Sequence, residues 1–238
     1  MSTVAPVKSN KSYPPAPAGT HVARVYKFMN LGKRLQQYKG VDKAHPDTLV
    51  TFTIELPNEL NEFEYEDKDT GETKKVSKPF VVSQEFTLSM HKKSRLRPFV
   101  EGILGTTLTD EEAGAFDIEE LVGMPCQVTI IHNKSADGEK TYANIKSVAP
   151  LMKGIEAPEA INEPVKLDVK TMTKEEIEAL PDFLRNKIVI SDEYKGRFDE
   201  NEIARKARIQ ETIDERKGFA YGTEGGADSK EDDIEIPF

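Results

Sequence analysis

The chain has 238 residues, 37% apolar and 32% charged, with no Trp and a formal net charge of −9. That size holds one domain of about 130–150 residues with appendages, or two small ones, and the modest apolar share favours a single core with polar flanks. A lone cysteine, Cys126, excludes an intrachain disulfide and a thiolate metal cluster, and no apolar run approaches the roughly 20 residues of a membrane-spanning helix. With no basic-then-apolar leader pattern either, the expected location is the cytoplasm and no membrane partner is expected.

Residues 1–18 carry Pro14, Pro15 and Pro17 among small polar residues and read as a flexible N-terminal arm. Beyond Gly19 the signal is chiefly β, with β-branched and aromatic runs bounded by Gly, Pro, Asp and Asn. The first run is 21–31. The second, 48–56, alternates, with Val50, Phe52, Ile54 and Leu56 on one face and Thr51, Thr53 and Glu55 on the other. The third, 80–90, places Phe80, Val82, Phe86 and Leu88 opposite Ser83, Glu85, Thr87 and Ser89. Period two with one apolar face predicts half-buried strands. Between these two runs, Phe63 to Tyr65 and Lys74 to Val76 flank the turn signal Asp69-Thr70-Gly71, which predicts a protruding β-ribbon.

The period then changes. Leu96, Phe99, Val100, Ile103 and Leu104 recur at helical spacing before Gly105, Thr109 and Glu112 have capping-box spacing, and Phe116, Leu121 and Val122 stop at Gly123. A helical insert over 94–122 follows, and then two strands, 126–132 and 141–148, joined through Asp137-Gly138. Five strands with a helix between the third and fourth is the order of the OB-fold, a small Greek-key barrel, although other α+β domains share it. The predicted class is therefore mainly β (α+β), a five-stranded OB-fold barrel over 19–155 with a helical insert and a β-ribbon.

Residues 156–217 read as a linker and charged helical segment. Pro158 and Pro164 open it, Thr173 and Glu176 have capping-box spacing, and Ile177, Leu180, Leu184 and Ile188 share a helical face interrupted near Pro181. A second, highly charged helix is predicted over 199–217. Residues 218–238 read as a disordered acidic tail. Net charge divides unevenly: residues 1–155 hold 20 Lys and Arg against 20 Asp and Glu, whereas 156–238 hold 13 against 22. A neutral body can still gather cations on one face.

The tail carries the most specific signal. Asp232, Asp233 and Glu235 precede Ile236-Pro237-Phe238, so acidic groups supply long-range attraction while Ile and Phe supply apolar surface to bury and Pro limits the entropy lost on docking. That describes a tethered peptide ligand; the plainer alternative is an acidic terminus that aids solubility. The ending is similar to the terminal Asp-Asp-Asp-Ile-Pro-Phe of bacterial single-stranded DNA-binding proteins, with Ile234 and Glu235 as departures. Gly19-Thr20-His21-Val22-Ala23-Arg24, Thr87-Leu88-Ser89-Met90-His91 and Thr141-Tyr142-Ala143-Asn144-Ile145 resemble segments of single-stranded DNA-binding proteins encoded by tailed bacteriophages. The resemblance spans about 19–155, with a weaker likeness around Leu180-Pro181-Asp182-Phe183-Leu184. It implies an OB-fold that coats and protects single-stranded DNA, with little sequence preference, during phage replication, recombination or repair in the host cytoplasm. It also implies recruitment of replication or recombination proteins through Asp232, Asp233, Glu235, Ile236, Pro237 and Phe238.

Single-strand binding needs aromatic faces interleaved with cations. The candidates are Arg24, Tyr26 and Lys27 on the first strand; Lys33, Arg34 and Tyr38 after it; Tyr65, Lys74 and Lys75 on the ribbon; Lys92 and Lys93, near Arg95 and Arg97; and His132, Lys134, Tyr142 and Lys146 on the last hairpin. Each aromatic fits a core equally well, and each cation a solvated surface. No catalytic residue, cofactor or metal is expected, because the four histidines, His21, His45, His91 and His132, occur singly and neither a P-loop nor a nucleophile elbow is present. Two alternatives remain: a protein-interaction adaptor of the replication machinery, and, remotely, a nuclease built from scattered carboxylates.

Overall fold

A computed structural model of the chain describes residues 14–66, 73–135, 137–201 and 208. In chain order the elements are β1 (Gly19–Arg34), β2 (Gln37–Tyr38), β3 (Val41–Asp42), β4 (Asp47–Glu66), β5 (Thr73–Thr87), α1 (Leu96–Leu104), α2 (Asp110–Ala115), a 3-10 turn (Ile118–Leu121), β6 (Pro125–Lys134), β7 (Thr141–Ala149), β8 (Val165–Asp168), α3 (Lys174–Glu178), α4 (Asp182–Ile188) and α5 (Asp192–Phe198). The molecule is thus mainly β, with the helical insert where the 94–122 periodicity places it. The predicted ribbon is the far end of β4 and β5, where Phe63 faces Val76 and Tyr65 faces Lys74. The predicted 199–217 helix, apart from its first three residues and Arg208, lies outside the described residues, as does the 218–238 tail.

The main sheet runs β5-β4-β1-β6-β7 in antiparallel order, with β8 joining β1 in parallel. β1 gives one edge to β4, from Arg24 opposite Glu55 to Arg34 opposite Asp47. Its other edge goes first to β6, from Gly19 opposite Ile130 to Arg24 opposite Pro125, and then to β8, from Lys27 opposite Val165 to Asn30 opposite Asp168. The changeover is bridged by Gly123 and Met124, whose backbones exchange hydrogen bonds with Val25 at 2.7 and 3.0 Å. The sheet is open. β5 and β7 approach within 8 Å between Cα atoms, yet no backbone ladder joins them among the described residues.

Two apolar cores lie on opposite sides of β1. The larger gathers Val25 and Phe28 with Phe52, Ile54, Phe86, Cys126 and Val128 and is closed by Leu96, Phe99, Val100 and Ile103 of α1. Phe52 is its hub, with ring centroids 5.1 Å from Phe28 and 5.4 Å from Phe99. Helix α1 starts without a side-chain cap but stops where expected, at Gly105 in the left-handed region. The predicted Thr109–Glu112 capping box forms and opens α2.

The smaller core puts Met29, Leu31 and Leu49 against Val169, Met172, Ile177, Leu184 and Ile188. Residues 156–198, expected to be a linker and helices, therefore form a strap over the outer face of β1 and β4. The Thr173–Glu176 capping box opens α3, and Pro181 ends its turn and starts α4, as the sequence pattern implies. The strap is pinned by polar contacts as well. Buried Glu55 accepts from the Ile161 and Asn162 backbones (3.2 and 3.0 Å) and from the Asn162 side chain (2.7 Å). Ala16, within the predicted arm, is buried against the main core, and the Ala16 carbonyl is 2.8 Å from Nε2 of His132.

Helix α1 lies directly on β7. A Cβ at Gly102 would sit 2.7 Å from the Val148 carbonyl oxygen and 2.9 Å from its Cγ2. Gly102→Val is expected to cost about 1–3 kcal/mol by overpacking. The loss should appear as a lower urea midpoint at unchanged m-value, and wild-type stability in the variant would refute this contact.

Candidate nucleic-acid interface

The open seam between β5 and β7 is lined by three successive clefts. The first, about 440 Å³, lies between residues 78–83 of β5 and 141–143 of β7, with Pro14 and Pro15 at its rim. The second, about 310 Å³, has Gln84 and Phe86 on one side and residues 145–148 on the other, with Arg95 and Pro98 from the start of α1. The third, about 540 Å³, opens past the end of β5 and is lined by Lys43, Thr87, His91, Lys93 and Arg95 among others. Phe86 and Arg95 are walls of both the second and the third.

Of the residues predicted from sequence, this seam brings together Tyr142, Lys146 and Lys93. Tyr142 is 52% exposed, so its ring is available for stacking. Lys93, Arg95 and Lys146 are exposed, and none of the three has an acidic side chain within ion-pair distance among the described residues. Nearby acids are already engaged: Glu85 by Arg34 (2.9 Å) and Lys187 (2.7 Å), and Asp47 by Lys43 (2.5 Å). Arg95 and His91 were not among the predicted binders, although Arg95 stands inside the dense Lys92–Arg97 run that signalled the region. Lys43 had no distinguishing pattern around it.

Other predicted residues have structural partners. Arg24 donates to the carbonyls of Gly123 and Pro158, tying β1 to the 3-10 turn and to the strap. Tyr26 and Lys27 lie on the strap side of β1; burial, with Glu55 adding to it, raises the Tyr26 pKa, and burial lowers that of Lys27. The Arg34 guanidinium holds Glu85, and Lys92 reaches Asp110 at 2.9 Å. Lys33 is exposed, and its backbone N–H donates to Glu193 of α5 at 2.6 Å. Lys75 and Lys134 are exposed away from the clefts, and His132 is held by Ala16. Tyr38, Tyr65 and Lys74 are placed by their backbones only, and their side chains, like Asp232, Asp233, Glu235, Ile236, Pro237 and Phe238, lie outside what the structure describes.

The basic loop entering α1 is held by a knot of ion pairs around one buried arginine. Arg97, with its side chain 5% exposed, donates to Glu101 (3.0 Å), to Asp110 (2.7 Å) and to the carbonyls of Met90 and Leu108. The Arg97 hydrogen bond, with help from the Leu108 N–H, holds the Glu101 carboxyl below its ordinary range. The Arg97 hydrogen bond and then Lys92 do the same for Asp110. Cys126 of β6, opposite Ala23 of β1, is buried in the main core, and that burial pushes its thiol up to about 12.

Among the described residues no three His, Cys, Asp or Glu side chains converge to hold a metal ion, and no helix is long and apolar enough to cross a membrane. The chain matches no protein-family model and no curated protein.

Two measurements check the local chemistry. A carboxyl with a depressed folded-state pKa adds stability above its unfolded value and loses it as pH falls, so thermal stability should hold from neutrality to about pH 5 and then drop. Glu101→Gln should make the drop between about pH 5 and pH 3 shallower, and parallel curves would disprove the knot's role. The Cys126 thiol should resist an aromatic disulfide reagent at pH 8 in native protein and react at once in denaturant; fast native labelling would contradict its burial.

Proposed function

We propose that this chain is a non-catalytic single-stranded nucleic-acid-binding protein that holds its ligand in the seam between β5 and β7. The observation that carries the reading is the trio Lys93, Arg95 and Lys146, without an acidic partner among the described residues, alongside exposed Tyr142, within a body of zero net charge over residues 1–155. Cations without acidic partners are free to replace phosphate counterions, and a neighbouring ring accepts any base, so affinity is salt-sensitive and nearly sequence-independent. The strand order β5-β4-β1-β6-β7, with the helix inserted between the third and fourth long strands, supports reading the body as an OB-fold whose last closure is replaced by the seam.

On this reading the protein coats single-stranded DNA during phage replication, recombination or repair in the cytoplasm of a bacterial host. Its acidic ending, Asp232 to Phe238, recruits the proteins that work on that DNA. A second reading, a protein-binding adaptor, is favoured by one observation: β5 and β7 each leave a backbone edge unpaired among the described residues, which suits addition of an extended peptide.

Fluorescence anisotropy with labelled oligo-dT separates the two. Wild-type protein should bind at low salt and weaken steeply as salt rises. Combined reversal of Lys93, Arg95 and Lys146 to Glu should abolish binding while leaving the melting curve in place. Neutralising the same three to Gln should reduce the slope of log K against log salt by about 2, at roughly 0.7 per phosphate contact. Wild-type protein that ignores oligo-dT at low salt would overturn the proposal in favour of the adaptor.

A further inference from the structure

The row of clefts does not end at the basic loop. His91 is a wall of the 540 Å³ cavity and also of a fourth cleft, about 430 Å³, bounded by Met90, Lys92, Arg97 and Asp110. The four therefore follow one another. The first and second adjoin through Ser83 and Gln84 on β5, the second and third share Arg95, and the third and fourth share His91.

The shared walls and the cleft interiors differ in chemistry. Arg95 is exposed, with its guanidinium uncommitted to any acid among the described residues. The His91 ring accepts the Lys93 backbone N–H at Nδ1 (3.1 Å), which leaves Nε2 as the hydrogen-bearing nitrogen and a donor. The first cleft, in contrast, is built from Pro14, Pro15, Phe80 and Val81 with Tyr142, a largely apolar lining with a ring at its edge. The second is likewise lined by Phe86, Pro98, Ile145 and Val148, whereas the third and fourth offer Leu49, Phe86 and Met90 among polar and charged residues that include the engaged acids Glu85 and Asp110. Donors at the partitions with some apolar surface in every cleft follow the alternation of a single strand, in which phosphates separate bases. Volumes of 310–540 Å³ lie at the low end of small-ligand pockets, about 300–1,000 Å³, room for one base in each.

Resting on the single-strand reading above, we infer that one chain engages a footprint of about four nucleotides, at the short end of single-strand modules, with a base in each cleft and phosphates at Arg95 and His91. Tyr142 then acts on the base of the first cleft, and Arg95 on the backbone between the second and third.

The test uses the full chain at low salt with labelled oligo-dT of two to twelve nucleotides and an abasic four-mer. Affinity is expected to climb about tenfold per nucleotide up to four and then by no more than about threefold from four to eight. Tyr142→Ala should weaken dT four-mer binding about tenfold, keep the salt slope and leave the abasic four-mer unchanged. Arg95→Ala should weaken both four-mers and flatten the slope by about 0.7. A tenfold climb between four and eight nucleotides, or equal weakening of dT and abasic strands by Tyr142→Ala, overturns the footprint while leaving single-strand binding intact. Failure of every length to bind is a different result, which removes the underlying function as well.

Discussion

β1 has to line two cores at once, and one extra residue lets it do so. Ala23 and Val25 point into the main core; a bulge at Tyr26 then shifts the alternation, so that Phe28 points inward and Met29 outward. Leu31, two residues on, shares the outer side with Met29, and a second shift between Asn30 and Gly32 then brings Gly32 opposite Leu49. The outer side is where the strap docks. Gly32, at φ 84°, sits so close to α5 that a Cβ would fall 2.8 Å from the Ser191 Cβ, a conformation and an approach suited to glycine. Without that rephasing, strict alternation from Val25 would turn Met29 and Leu31 into the main core and Phe28 out toward the strap, so neither core would keep its own apolar side chains.

The strap occupies the outer face of β1 and β4, and the two end strands of the sheet, β5 and β7, are left to face each other. β5 and β7 are near enough to meet, and the start of α1 borders the second cleft beside them, with Arg95, Pro98 and Phe99 all lining it. Pro98, in the first helical turn, costs α1 no interior hydrogen bond. Phe86 and Phe99 pack with ring centroids 4.7 Å apart, so the helix is anchored in the main core. The same packing that stabilises α1 therefore fixes one wall of the second cleft, beside two strand edges that no ladder joins among the described residues.

Legibility in the sequence followed the number of faces a segment buries. The stretches 48–56 and 80–90 alternate cleanly because one face enters the main core, and both were readable as strands. β1 buries both faces and carries bulges, so the 21–31 run showed its β character without its register. Thr51, Thr53 and Glu55 were placed correctly on the outer face of β4, but all three are buried, because nothing local to β4 announces that a segment 100 residues later will cover it. The strap did leave a trace in the alternation of Val165, Leu167 and Val169, too short to stand out behind Pro158 and Pro164. Among candidate binders, side-chain type alone could not separate Arg24, committed to two carbonyls, from Lys146, which has no acid within ion-pair distance among the described residues. Carbonyl acceptors belong to every residue and leave no mark in a sequence.

The charge pattern shows why neutrality of the body was a weak guide. Acids and cations do not cancel where they stand. Asp110 is shared by Arg97 and Lys92, and Glu85 takes Arg34 from β1 and Lys187 from α4. The strap, drawn from the acidic third of the chain, thus lends cations to acids of the body: Lys187 to Glu85 and, at 3.8 Å, Lys166 to Glu119. Each loan relieves the body's own cations of an acid they would otherwise face. Lys93, Arg95 and Lys146 are left as a local positive excess within clefts. Because exposed charges are screened over about 8–10 Å, a phosphate placed in the seam would respond to the charges lining the clefts, these three cations with the paired Lys43 and Glu85, and hardly at all to a net charge located elsewhere.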